Sequence, residues 1–257
     1  MKIIIIGSGN VATQIGQALK SAGHTILQVY GRNTASAKTL AKKLSCPFTT
    51  TISDISGGAD FYMVALSDEA IKPFLQKFNI RDQLIFHTSG SVSLSVFGNK
   101  YKNCCVFYPV QTFSMKRNVS FKNIPVCLEA ANQLTKKKII ALAKTLTTKI
   151  HYLDSRQRKI IHLAAVFSNN FSNHLFVIAE HLLAHERISF DVLKPLILET
   201  AMKVQHESPT DMQTGPAKRG DASILKEHLE MLKRKKKFRE IYMLMSESIS
   251  EMSGIRL

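Results

Sequence analysis

Lys2-Ile3-Ile4-Ile5-Ile6-Gly7-Ser8-Gly9-Asn10-Val11-Ala12 is the stretch that decides the fold. Ile3, Ile4, Ile5 and Ile6 form an unbroken β-branched run, as in a central parallel strand buried on both faces. Gly7 allows a tight turn. Gly9 has no Cβ, so a pyrophosphate can approach the backbone, and Ala12 takes the small position where helix packs on strand. Residues 11–22 read as a helix whose positive N-terminus points at the phosphates. Gly7, Ser8, Gly9, Asn10, Val11 and Ala12 are therefore candidate dinucleotide-binding residues.

Residues 25–30 read as the second strand. A domain that binds NAD usually ends this strand with an acid, which accepts a hydrogen bond from the ribose 2′-hydroxyl. This chain has Gly31-Arg32-Asn33-Thr34 there. Arg32 can stack on adenine or fork onto a 2′-phosphate, and Asn33 can donate to it. The expected cofactor is NADP.

Strand and helix keep alternating beyond this point. Residues 48–51, 60–66, 83–86, 104–108, 124–128 and 149–153 read as strands, and 35–44, 67–78 and 135–147 as helices. This alternation means a doubly wound, mostly parallel α/β sheet. After Asp154 the strand signal stops. Residues 156–187 have helical period, a length of about 48 Å at 1.5 Å per residue. Further helices are expected over 191–207, 223–232 and 239–250. The sequence thus divides into a dinucleotide-binding domain, 1–154, and a helical domain, 155–257.

Composition bounds the rest. The chain has 257 residues, a formal net charge of +16 and 45% hydrophobic residues. No apolar run reaches the ~18 residues of a membrane helix. Cys46, Cys104, Cys105 and Cys127 lack metal-site spacing and read as free thiols in a reducing cytoplasm, with no zinc site. The basic runs at 136–138 and 233–237 carry no interleaved aromatics, so they read as solvated helix faces and not as a nucleic-acid surface. Basic charge helps draw in an anionic cofactor and a small-molecule substrate.

In an open α/β sheet, ligands lie outside the carboxyl ends of the strands. Leu66 and Ser67, together with His87-Thr88-Ser89-Gly90, should therefore flank the nicotinamide, Ser89 as a cofactor contact and His87 as a donor to the substrate. Residues 107–114 shape a pocket or pack as a crossover loop. On the long helix, His162, Asn169 and Asn173 fall in one stripe at 100° per residue, with Asn170 and His174 beside it. Such a polar set is costly to bury without partners. His162, Asn170 and His87 are the candidate catalytic residues. Arg219 can hold a carboxylate or pair with an acid, and Asp221 can cap the helix that follows it.

At these motifs a resemblance becomes specific. The first domain resembles the Rossmann domain of pyrroline-5-carboxylate reductase, ketopantoate reductase and deazaflavin-dependent NADP oxidoreductases. The whole chain resembles a bacterial family of NADP oxidoreductases that joins such a domain to a helical domain of unknown function. The shared motifs are the 7–12 loop, His87-Thr88-Ser89-Gly90, the helix at 162–175, and residues 213–221. The helical domain is similar to that of 6-phosphogluconate and β-hydroxyacid dehydrogenases. Those enzymes place a Lys four residues before an Asn, whereas Val166 precedes Asn170 here. The resemblance implies an NADP(H)-dependent oxidoreductase acting on a small C=O or C=N substrate or a deazaflavin-type acceptor. In that reading His162 or His87 gives a proton and Asn170 holds the substrate. The alternative is a non-catalytic NADP-binding sensor. Phe167, Phe171, Leu175, Phe176, Ile178 and Leu182 supply more apolar surface than a small helical domain covers alone, so a homodimer is expected.

Overall fold

Alternate isoleucines of the opening run serve opposite faces of one sheet. In a computed structural model, which describes residues 1–80, 83–115, 117 and 119–255, Ile3 and Ile5 pack with Ala12, Leu19 and Leu40, while Ile4 and Ile6 pack with Tyr62 and Ile71. All four are fully buried. Each such side chain contributes about 1.5–3 kcal/mol, which is why a β-branched run with no polar interruption suits this central position.

The chain forms two compact units, Met1–Asn170 and Phe171–Leu257. Among the described residues the first holds eight strands, β1 (Lys2–Ile6), β2 (Thr25–Tyr30), β3 (Phe48–Thr49), β4 (Phe61–Val64), β5 (Leu84–His87), β6 (Cys104–Pro109), β7 (Val126–Ala130) and β8 (Ile150–Tyr152). Their order is β3-β2-β1-β4-β5-β6-β7-β8. Every pairing is parallel except β6 with β7. The chain leaves β1 for β2 on one side and returns to β4 on the other, so the strand order reverses beside β1. The helices of this unit are α1 (Asn10–Ser21), α2 (Thr34–Leu44), α3 (Asp68–Lys77), α4 (Gln133–Lys144) and α5 (Ser155–Ala165). The four cysteines are free thiols.

Helix α5 starts with a capping box. Asp154 accepts from Gln157 N (2.8 Å), and Gln157 accepts from Asp154 N (3.0 Å). The change from alternating to helical pattern comes there, as the sequence indicates, but the compact unit that holds the sheet runs on through Asn170. The single α-helix expected over 156–187 is interrupted. Val166–Phe171 is π-helical, and α6 (Ser172–His185) follows. A π turn holds more residues than an α turn, so a stripe drawn at 100° per residue from His162 loses its register before Asn169.

The second unit contains α6, a 3-10 turn at Phe190–Leu193, α7 (Lys194–Lys203), α8 (Pro216–Arg219), α9 (Ala222–Met231) and α10 (Lys236–Met252). Helix α8 packs on both α9 and α10, with Ala217, Leu225 and Leu232 buried. Neither α6 nor α7 has a buried residue. Asp221 does not cap α9 with its side chain. Its carboxylate instead accepts from Arg219 Nε and Nη2 at 3.0 and 2.7 Å, an ion pair two residues apart that outcompetes the cap. Among the described residues, no helix is long and apolar enough to cross a membrane.

Candidate functional site

The glycine loop leaves β1 at the carboxyl edge of the sheet. Gly7 has φ +125°, and a Cβ there would lie 2.1 Å from the Ala65 carbonyl oxygen. Only glycine allows β1 and the end of β4 to come this close. Helix α1 begins with Gly9 as its N-cap, with no side-chain capping hydrogen bond and no acid in the first turn. A Cβ on Gly9 would meet nothing within 4 Å. An open helix N-terminus facing free space fits a pyrophosphate. Ser8 Oγ lies 2.8 Å from Ser36 Oγ, which ties the loop to the start of α2. Val11 is half-buried and Ala12 fully buried. The Asn10 side chain is engaged elsewhere, its Nδ2 donating to Phe113 O (3.0 Å). One turn later, Gln14 Nε2 donates to Ser114 O (2.8 Å) and Arg117 O (3.0 Å). The segment after β6 is therefore held against α1.

Arg32 stands exposed past the end of β2. With Tyr30, Ile52, Leu66, Ser67 and Phe74 it lines a cavity of about 490 Å³. Three residues singled out from the sequence, Arg32, Leu66 and Ser67, thus meet at one concave surface. Asn33 caps α2, its side chain accepting from Ser36 N (3.0 Å). Glu69 and Lys77 also line the cavity, and its aromatic and aliphatic walls beside the exposed Arg32 guanidinium fit the adenosine end of a 2′-phosphorylated dinucleotide.

The loop after β5 is ordered by its own hydroxyls and by a buried arginine. Ser89 Oγ accepts from Ser91 N (3.1 Å) and Val92 N (3.0 Å), and Ser91 Oγ donates to the Asp68 carboxylate. Arg158, on the first turn of α5, is 1% exposed. Its Nη1 meets Glu129 Oε2 at 2.5 Å, its Nε donates to Ser89 O (3.3 Å), and its Nη2 donates to Val92 O. Ser155 Oγ donates to the same Glu129 carboxylate (2.8 Å). Burial pulls the guanidinium pKa down and Glu129 opposes this.

His87 lies inside this loop, fully buried and stacked on Phe97 at 5.5 Å. Its Nδ1 accepts from Ser89 N (3.2 Å). Burial first, then the Arg158 charge, lowers its pKa to about 3, so the ring is neutral at pH 7. His162, one turn along α5 from Arg158, is half-buried. Its Nδ1 is 3.3 Å from the Tyr108 hydroxyl. Burial raises the Tyr108 phenol, which therefore keeps its hydrogen at neutral pH. Asn170 is exposed in the π-helical turn.

The structure thus brings Ser89, Tyr108 and His162 to one place through Gly90, with His87 behind them. Tyr108, Glu129 and Arg158 are the residues that sequence reasoning missed as a group. One signal was present: Arg158 and His162 are four apart on a helix and share a face.

Two families match the chain. One, described as NADP oxidoreductase coenzyme F420-dependent, covers residues 2–88, and the other, described as a domain of unknown function (DUF2520), covers residues 124–249. A Bacteroides fragilis protein whose crystal structure is named that of a "putative NADP oxidoreductase" is 40% identical, with 97% of this chain and 98% of that one covered and a TM-score of 0.93. A Thermotoga maritima protein is 20% identical over 98% of both chains, with a TM-score of 0.73. The 1-pyrroline-5-carboxylate reductase of Streptococcus pyogenes is 16% identical over 99% of both, with a TM-score of 0.64, a likeness of fold. No curated protein matches.

Proposed function

The chain belongs to the NADP oxidoreductase family of its Bacteroides fragilis relative, and on that premise we propose that it reduces a small C=O or C=N compound or a deazaflavin-type acceptor. Its cofactor is NADP. One observation carries the proposal. The open N-terminus of α1, the Arg32 cavity and the Gly90–Tyr108–His162 contact all lie at the carboxyl ends of β1, β2, β4, β5 and β6, which run parallel and so share one edge of the sheet. A dinucleotide laid along that edge, from Arg32 across the glycine loop, ends beside Gly90.

When bound, NADPH would supply a hydride to an electrophilic carbon. The protein supplies binding, orientation and a proton. Ser8 and the first-turn amides of α1 would hold phosphate, Arg32 with the N-terminus of α2 would hold the 2′-phosphate, and Leu66, Ser67 and Ser89 would border the nicotinamide. His162 gives the proton to the substrate heteroatom, a role suited to a half-buried imidazole. His87, neutral and buried, shapes the loop from behind. Asn170 holds the substrate from the π-helical turn.

The test is absorbance of NADPH with purified protein and a panel of keto acids, imines and deazaflavin. Oxidation by one class supports the reading, and no oxidation by any class contradicts it.

We further propose a homodimer built on the helical unit. Leu196 and Leu198 on α7 are each 63% exposed, and Leu175, Phe176 and Val177 on α6 are also exposed. Two helices with no buried residue need a covering surface, and a second copy supplies a matching one. Light scattering should give twice 28.8 kDa at micromolar concentration, and a particle of 28.8 kDa would refute the dimer.

A further inference from the structure

Tyr108 stands near the end of β6, on the sheet edge where the nicotinamide is proposed to lie. Its ring meets the His162 ring edge-on, with centroids 6.0 Å apart and planes at 71°. The hydroxyl reaches Nδ1 at 3.3 Å. Both rings close over Gly90. A Cβ there would lie 2.7 Å from Tyr108 Cζ and 2.8 Å from His162 Nδ1, so any side chain at this position would push them aside. A second tie lies one helical turn away, where Arg158 holds Ser89 O and Val92 O on either side of Gly90. Loop, strand and helix thus meet at the imidazole, with Arg158 carrying the tie between loop and helix.

We propose that Tyr108 is the positioning residue of His162: its hydroxyl holds Nδ1 and leaves Nε2 as the nitrogen that exchanges protons with the substrate. This deepens the proposed reduction and rests on it. A phenol suits the role because its oxygen can accept the Nδ1–H bond while the hydroxyl stays un-ionised. It accepts from Nδ1–H in the imidazolium and still accepts from it in the neutral ring that remains once Nε2 has given up its proton. The ring therefore keeps one place through the whole proton cycle.

In the step itself, the Nε2–H bond of the imidazolium breaks and its proton goes to the substrate oxygen or nitrogen. The π pair of C=O or C=N moves onto that atom as the carbon takes the hydride supplied by NADPH. The substrate is reduced by two electrons, the cofactor is oxidised by two, and solvent returns a proton to Nε2. The side chains themselves undergo no net change.

Tyr108→Phe keeps the ring and removes the hydroxyl. By ¹⁵N NMR, Nδ1 of His162 should be hydrogen-bonded in the wild type and should move to the free position in the variant, with the other histidines unmoved. With an active substrate, kcat should fall about 10²-fold while KM for NADPH stays unchanged, as misplacement of a reacting group predicts. Gly90→Ala should remove the same Nδ1 signature with Tyr108 intact. An unmoved Nδ1 resonance in Tyr108→Phe, or a kcat within about twofold of wild type, overturns the proposal. If the wild type reduces no acceptor at all, the proposed reduction falls, and the Nδ1 resonance alone decides the Tyr108 pairing.

Discussion

The two ends of the proposed site are built in opposite ways. The cofactor end is local: residues 7–12 are contiguous, and backbone geometry does the work, through the positive φ of Gly7 and the uncapped start of α1. The proton end is assembled from afar, with Gly90, Tyr108, Glu129, Arg158 and His162 arriving from the loop after β5 and from β6, β7 and α5. The phosphate loop survives the loss of most single side chains because main-chain amides make it, and Arg32, at the adenosine end, is the side chain on which cofactor binding depends. An assembled site depends on each of its side chains. Substitutions should therefore separate the two ends, sparing cofactor binding when the proton end is damaged.

The largest effect should come from Arg158→Met. It leaves Glu129, whose side chain is 15% exposed, without its guanidinium, and it frees two loop carbonyls. Removing one partner of a buried ion pair costs about 3–5 kcal/mol. Urea denaturation should show a loss of this order, whereas a loss below about 1 kcal/mol would mean the pair acts like an exposed one. Next is His162→Ala. Loss of the proposed general acid should lower kcat by about 10²-fold or more, with the melting temperature nearly unchanged because the ring is half-buried. A lowered melting temperature with activity spared would make His162 structural.

A third effect is a pH dependence of stability. The folded His87 ring gains its proton only near a pKa of about 3, against 6.5 in the unfolded chain. Between these values the unfolded state binds more protons, so stability is full above pH 6.5 and falls as the pH drops toward 3. His87→Gln should flatten that slope in acid denaturation. An unchanged slope would show that other groups set it.

How much of this was legible in the sequence follows from the same contrast. The glycine loop, the parallel sheet and most helix positions could be read because their causes lie within a few residues: the Ile3 run, Gly7, and the periodicity of α1, α2, α9 and α10. The Arg158–Glu129 pair joins residues 29 positions apart on a helix and a strand, and no local pattern announces it. Gly90 was visible as a motif residue, yet its reason, two rings closing over it, is tertiary. The π-helical turn at Val166–Phe171 contains no proline or glycine to mark it. Periodicity alone extends an α-helix through it, and the stripe through Asn169 and Asn170 shifts as a result. Asp221 was readable as a cap, but the nearby Arg219 offered its carboxylate a stronger partner.

The most direct test of the contrast is one titration, NADPH binding followed by nicotinamide fluorescence, on the wild type, Arg32→Asp and His162→Ala. Exchanging the Arg32 guanidinium for a carboxylate removes the proposed charge-assisted contact with the 2′-phosphate, worth about 1.5–3 kcal/mol, so Kd should rise at least tenfold, roughly the value of 1.4 kcal/mol. His162→Ala should bind NADPH as the wild type does. Unchanged binding in Arg32→Asp, or binding lost in His162→Ala, would contradict the separation of a local cofactor end from an assembled proton end.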